Sequence, residues 1–325
     1  CYEREAAMNE SRDSTIAVLA INPAVDISYE VSQLVPDRKV RAERTRYYPG
    51  GNGINVARAL AELAAPFRCC SVVGGESGDL LLRLLGDCLG ENHSIFRVEG
   101  ETRVNSTVQQ KSPSTQYEID SSGPEVPADT LDEMDRCFLS ACGRGYGVLS
   151  GSTPPGVPVT HRRRLAEQIR AQGGRAVVDA YGPVLTEALQ AQPYLLRLSR
   201  YVLEKKAMQR LDSLEAVAEA ARELQQGGVA QVCISLGSDG AILVDADNSY
   251  HCAAPRMHVQ STVGCGDALL AGLVAAASRG EDAAAMLRLG VMGGSATAGH
   301  PGTELFRLDG VSQLSDKVKV TTLDV

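Results

Sequence analysis

Gly147-Val148-Leu149, Ala176-Val177-Val178-Asp179, Tyr194-Leu195-Leu196-Arg197-Leu198 and Val232-Cys233-Ile234-Ser235-Leu236 are the apolar runs whose reading decides the fold. Between them lie longer stretches with helical periodicity, at Arg162–Gln172, Leu185–Gln190 and Leu214–Gln225, and Leu131–Cys142 precedes the first run. Short apolar strands alternating with helices predict βαβ units and a parallel sheet.

Working outward, Ile16–Ile21 reads as another buried strand, stopped by Asn22-Pro23. Asp26–Leu34 alternates apolar and polar, and charged and aromatic residues follow to Tyr48. Gly50-Gly51-Asn52-Gly53 is a turn into a helix over 54–64, followed by a strand at Arg68–Val73 and a helix at Leu80–Leu89. Alternation returns over Arg103–Ile119 as a hairpin, and another hairpin is expected at Ala241–Cys252. Helices close the chain near Ala268–Ser278 and Asp282–Ala298. No repeat or linker divides the sequence. The expectation is a doubly wound α/β fold over residues 15–325, its mostly parallel sheet flanked by helices on both faces. Segments 26–48 and 102–122 are expected to form a small β-sheet lid over one edge. Residues 1–14, polar and charged, are expected to be disordered.

Lys and Arg total 32 against 40 Asp and Glu among 325 residues, a net charge of -8, so no global basic excess exists to hold a nucleic acid. No apolar run reaches the roughly 18 residues that cross a bilayer. The nine cysteines form an odd, scattered set without a CxxC pair, which points to reduced thiols in a cytoplasmic protein. The sequons at Asn9 and Asn105 are accordingly read as chance.

The chemistry is expected in Ser261-Thr262-Val263-Gly264-Cys265-Gly266-Asp267, ahead of an alanine-rich helix. Two glycines let successive N–H groups point into one hollow, and the helix start adds its positive end. That suits a phosphate gaining charge during transfer, with Asp267 placed to accept a proton from an attacking hydroxyl. Taken by itself the stretch fits equally an Asp capping a helix after a glycine turn. Rival phosphate motifs are missing. No GxxxxGK[ST] loop occurs, and Val56 stands where a dinucleotide fingerprint needs its third glycine. Neither HExxH nor a protein-kinase HRD signature is present.

The same stretch resembles the carboxyl-terminal signature of the ribokinase-like (PfkB) kinases, with Cys265 where Ala is usual. Pro49-Gly50-Gly51-Asn52-Gly53-Ile54-Asn55-Val56-Ala57-Arg58 resembles the amino-terminal signature. Ser150–Gly156, Ser235–Gly240 and Pro301-Gly302-Thr303 resemble intervening loops, and the likeness runs from about Thr15 to Leu308. It implies an ATP-dependent carbohydrate kinase with Asp267 as base and Gly264, Cys265 and Gly266 as the anion hole. Ser235, Gly237, Gly240, Ser261 and Gly302 would serve ATP. Asp26 and Asn55 would hold sugar hydroxyls, with Gly50 and Gly51 against the ring.

Asn22-Pro23-Ala24-Val25-Asp26 and Thr102-Arg103-Val104-Asn105-Ser106-Thr107 resemble the branch whose acceptors already carry a phosphate. Lys39 and Arg41, two apart on an expected strand, with Arg103 and Ser152, would hold that phosphate. The implied acceptor is fructose 6-phosphate; fructose 1-phosphate and tagatose 6-phosphate are alternatives, as is an unphosphorylated sugar or nucleoside. The resemblance also implies Mg²⁺ held mainly by ATP oxygens and water, allows a monovalent cation, and implies a homodimer through the lid strands. It departs at Lys-Pro-Asn-x-x-Glu, read here as Arg197-Leu198-Ser199-Arg200-Tyr201-Val202. The lost Asn and Glu leave a low-activity binding or regulatory protein as a further alternative.

Overall fold

Ile16–Ala20 forms β1, and all five of its residues are buried. In the computed structural model, which describes residues 15–324, odd and even positions of this strand enter different cores. Ile16, Val18 and Ala20 join one apolar cluster, while Ala17, Leu19 and Ile21 join the other. A strand alternates its side chains, so two cores mean that both faces of the sheet are covered. The expectation for residues 1–14 lies outside the described residues.

The chain continues through β2 (Ala24–Val31), β3 (Arg44–Gly50), β4 (Phe67–Val73), β5 (His93–Arg97), β6 (Arg103–Gln110) and β7 (Thr115–Ile119). It then passes β8 (Tyr146–Ser150), β9 (Arg175–Asp179), β10 (Leu195–Ser199), β11 (Gln231–Ser235), β12 (Ala241–Val244), β13 (Ser249–Cys252) and β14 (Val320–Leu323). The main sheet has ten strands in the order β14-β13-β12-β11-β10-β9-β8-β1-β4-β5. Every neighbouring pair from β11 to β5 is parallel, and β12 to β14 add an antiparallel edge.

The helices are α1 (Asn52–Glu62), α2 (Gly75–Leu85), α3 (Ala128–Cys142), α4 (His161–Ala171), α5 (Gly182–Gln190), α6 (Arg200–Ala207), α7 (Leu214–Gln226), α8 (Cys265–Ser278), α9 (Ala283–Ala298) and α10 (Leu308–Ser312). α1, α8 and α9 fill one core with residues such as Ile54, Leu270 and Met286. α3, α4 and α7 fill the other with Phe138, Leu165 and Val217. The expected doubly wound α/β fold is therefore present. α8 and α9 meet closely: a Cβ on Gly272 would lie 2.7 Å from the Gly290 Cα.

β2, β3, β6 and β7 form a separate four-stranded sheet in the order β3-β2-β6-β7. β2 and β6 are parallel, and the other pairs are antiparallel. This sheet springs from the carboxyl end of β1 through Asn22-Pro23 and returns to α1 through Gly50-Gly51. Tyr47, Val104, Tyr117 and Ile119 are exposed on it. Sequence reading missed the short edge strands β5 and β14. It also began α2 several residues late, because its first turn contains glycines and polar residues rather than a clear apolar stripe. No described helix is long and apolar enough to cross a membrane.

Candidate active site

Gly264 caps α8 in the left-handed region, with φ 78°. That conformation is open to glycine at little cost, and it turns the chain so that the first helical N–H groups face outward. Asp267 follows in the first turn and is only 4% exposed. Its Oδ1 accepts a hydrogen bond from Asn52 Nδ2 at 2.8 Å, and its Oδ2 accepts one from Asn55 Nδ2 at 2.9 Å. Burial pushes the Asp267 carboxyl up to about 7, and Asp179 adds to the rise. The two amides and the charge of Arg197 oppose it. A carboxylate titrating near neutrality can take a proton from a hydroxyl, which a plain capping Asp has no need to do. Burial pushes the Cys265 thiol up to about 12, which keeps it protonated at neutral pH.

Parallel register brings further groups to the carboxyl ends of the strands. Arg197 on β10 lies opposite Asp179 on β9, which lies opposite Ser150 on β8. Arg197 Nη1 donates to Asp179 Oδ2 at 3.2 Å, and Nη2 donates to Ser235 Oγ at 2.9 Å. Burial works against the Arg197 charge, but Asp179 and Asp267 outweigh it and hold its pKa above the ordinary value. A side chain on Gly266 would occupy the space of the Arg197 guanidinium. Buried Arg162 donates to the carbonyls of Asp179 and Gly151, and burial lowers its pKa to about 10. Single-sequence reading gave Arg162 and Arg197 no role, since each looks like an ordinary charged residue in its element.

Asp26 sits in β2 opposite Asn105 of β6 and Tyr48 of β3. Its Oδ1 accepts from Asn105 Nδ2 at 3.0 Å, and its Oδ2 accepts from Thr303 Oγ1 at 3.0 Å. Burial raises the Asp26 pKa, and these two hydrogen bonds work against the rise. A Cβ on Gly50 would collide with the Asp26 carboxylate, and one on Gly51 would come within 2.8 Å of Pro23 Cα. Arg58 joins this region to the base. Its Nη1 donates to Pro49 O at 2.8 Å, to Asn55 Oδ1 at 3.3 Å and to Thr303 O at 3.3 Å. The Asn105 side chain also accepts from Ser121 N at 3.2 Å, so the sequon residue is engaged within the fold.

Asn22 Nδ2 donates to Ser152 Oγ at 2.8 Å, and buried Arg103 Nε donates to Asn22 O at 3.1 Å. Arg103 Nη1 reaches Ser121 O at 3.2 Å. Burial lowers the Arg103 pKa. These residues form one corner. Lys39 and Arg41 are a correction: they lie exposed on loop 32–43, not on a strand. That segment carries too little apolar character to be buried in a sheet. Neither residue pairs with a residue of this corner among the described residues.

A cavity of about 720 Å³ has Arg197, Ser235, Gly237, Gly240, and the Cys265 and Gly266 that precede Asp267, in its wall. Met257, Val259 and Val291 add apolar side chains to its wall. Ser261 and Gly302 are not in this wall. Ser261 Oγ accepts from Val263 N at 3.2 Å within its own turn. Gly302 is packed under the Tyr48 ring, where a Cβ would collide with it, so it belongs to the Asp26 side. Asp267 follows Gly266 of this wall and is hydrogen-bonded to Asn52 and Asn55.

A family model described as pfkB family carbohydrate kinase matches residues 16–308. The chain is 33% identical over 313 residues to ATP-dependent 6-phosphofructokinase isozyme 2 of Mycobacterium tuberculosis, covering 95% of this chain and 91% of that protein. It is 31% identical over 310 residues to the 1-phosphofructokinase of Bacillus subtilis, covering 95% of this chain and 100% of that one. The crystal structure of phosphofructokinase-2 from Escherichia coli in complex with substrates and products superposes with a TM-score of 0.88. That chain is 30% identical, and the match covers 93% of this chain and 98% of the other. On the extent of the family match and the likeness along nearly the whole chain, this protein belongs to the pfkB family of carbohydrate kinases.

Proposed function

We propose that this kinase transfers the γ-phosphoryl group of ATP to a hydroxyl of a sugar phosphate, with fructose 6-phosphate as the acceptor. The observation that carries this reading is Asp267, buried, fixed by Asn52 and Asn55, and standing at a helix start whose Cys265 and Gly266 line a cavity.

In this reading the adenine and ribose occupy the cavity, with Ser235, Gly237 and Gly240 along the phosphates. Gly264, Cys265 and Gly266 supply N–H groups to the γ-phosphate. Asp26 and Asn55 hold sugar hydroxyls, and Gly50 and Gly51 allow the ring to approach the backbone. Arg103 and Ser152 hold the acceptor's own phosphate. Lys39 and Arg41, exposed on loop 32–43, are the further cations this reading assigns to that phosphate. The acceptor hydroxyl then gives its proton to Asp267 as its oxygen bonds to phosphorus, and ADP leaves. Magnesium enters on the nucleotide, held by ATP oxygens and water. A monovalent cation beside the anion hole is part of the reading. The exposed apolar residues of the small sheet favour a cytoplasmic homodimer joined through it.

A coupled ADP-release assay with fructose 6-phosphate, fructose 1-phosphate, tagatose 6-phosphate, fructose and ribose tests this. Turnover on one sugar phosphate supports the reading and names the acceptor. Turnover only on free sugars would contradict it. ATP binding without any turnover would support the reading that the Ser199 and Val202 replacements favour, a binding or regulatory protein on a kinase scaffold.

A further inference from the structure

Asn22 is buried just past the carboxyl end of β1, and two of its groups are bonded to the residues that the kinase reading gives to the acceptor's phosphate. Its carbonyl accepts from Arg103 Nε at 3.1 Å, and its Nδ2 donates to Ser152 Oγ at 2.8 Å. The same Nδ2 donates to the carbonyl of Ser122 at 3.0 Å. A carbonyl only accepts, so this contact fixes which end of the Asn22 amide faces Ser152. It is the NH₂ end, and the Ser152 oxygen is therefore the acceptor there. A serine hydroxyl carries one proton, and the proton of Ser152 is left to point elsewhere.

Arg103 is set in a similar way. Its Nε and Nη1 are taken by the carbonyls of Asn22 and Ser121, which leaves Nη2 for a further acceptor. Two donors released at one corner suit an anion. A Cβ on Gly51 would stand 3.1 Å from the Asn22 carbonyl oxygen, so the corner adjoins the glycine pair that the reading places against the sugar ring.

Resting on that reading, we propose that Asn22 is a positioning residue for acceptor recognition: its amide turns the Ser152 hydroxyl to donate to the phosphate that the sugar already carries. Asn22 acts through Ser152 and itself touches no reacting atom. Gly123 closes the space behind the amide, since a Cβ there would lie 2.2 Å from Asn22 Oδ1. The side chain is thus held in the orientation that serves Ser152. A residue that only pinned the 121–123 loop would need the Ser122 contact alone, and its loss would be felt whether or not Ser152 kept its hydroxyl.

The test is a double-mutant cycle with Asn22→Ala, Ser152→Ala and both together, and with Asn22→Asp beside it. Replacing the side chain leaves the Asn22 carbonyl for Arg103, so the cycle isolates the bond to Ser152. Steady-state kcat and KM are read for fructose 6-phosphate, with the KM for ATP as a control. Asn22→Ala is expected to raise the sugar-phosphate KM about 5- to 10-fold, with kcat and the ATP KM within about twofold of wild type. In the Ser152→Ala background the same change should have less than about a twofold effect. Asn22→Asp keeps the shape and reverses the bond. A carboxylate only accepts, so it draws the Ser152 proton away from the phosphate and adds a negative charge beside it. Its KM should rise at least 50-fold, roughly the scale of a hydrogen bond to a charged group.

An Asn22→Ala effect of the same size in both backgrounds, or an Asn22→Asp variant within about threefold of the wild-type KM, overturns the proposal. If Asn22→Asp does not fold, the alanine cycle decides. If the wild type turns over no sugar phosphate, the kinase reading fails, and the same cycle is read in the calorimetric dissociation constant for fructose 6-phosphate. A wild type that does not bind that compound overturns the role of Asn22 as well.

Discussion

At the scale of single residues, the behaviour of Asp267 follows from where it is buried. Its carboxyl titrates near 7, so kcat/KM should rise with pH as the free enzyme loses this proton, levelling above about 8. Asn55 holds that value down by donating to the charged form. Asn55→Ala should therefore move the acid limb of the pH–rate profile upward, which steady-state rates between pH 5 and 9 would show. A limb that does not move would mean another group titrates there. Asp267→Asn should lose about 10²- to 10⁴-fold in kcat while still binding ATP. Asp267 stood out in the sequence because two glycines and a helix start flank it. Arg162, Arg58 and Arg197 did not, since their contacts include partners up to 245 residues away. Lys39 and Arg41 illustrate the opposite error: spacing of two implies a shared face only on a strand, and loop 32–43 is not one.

Among the elements, the packing of α8 on α9 fixes the base most directly. Asp267 sits in the first turn of α8, so any shift of this helix moves the carboxylate relative to Asn52 and Asn55. Gly272 faces Gly290 with no room for a methyl group. Gly272→Ala should cost about 1–3 kcal/mol, read as a lower denaturant midpoint with unchanged slope. It should also lower kcat, because about 1 Å of misplacement at the base is enough to slow transfer. A variant that is destabilised but fully active would separate α8 packing from the site. Both helices were legible from their alanine-rich apolar runs. The contact between their glycines was not, because tertiary approach leaves no local pattern. The inner parallel strands were legible for a related reason: each is a short run dominated by apolar residues, as packing on two faces requires, whereas the parallel edge strand β5, with its polar and exposed residues, was not.

Considered whole, the molecule places a small, partly apolar sheet over the carboxyl end of a large one, where α/β folds bind ligands. Tyr47, Tyr117 and Ile119 are exposed on that sheet, and the proposed homodimer would cover them. Light scattering should report a dimer in solution, and Ile119→Lys should shift it toward monomer with the fold intact by circular dichroism. An unchanged mass would place the interface elsewhere. The two-sheet plan was visible in the sequence as a change from alternating polar strands to predominantly apolar ones. Only the structure revealed that β2 and β6 pair in parallel, because their joining segment holds β3, α1, β4, α2 and β5. The account as a whole turns on one reaction. Phosphorus NMR of the protein with Mg-ATP and fructose 6-phosphate, beside Asp267→Asn, tests it most directly. The account predicts a second sugar phosphoryl resonance growing in step with ADP for the wild type only. An equally fast Asp267→Asn variant, or ATP bound and unchanged by the wild type, would contradict it.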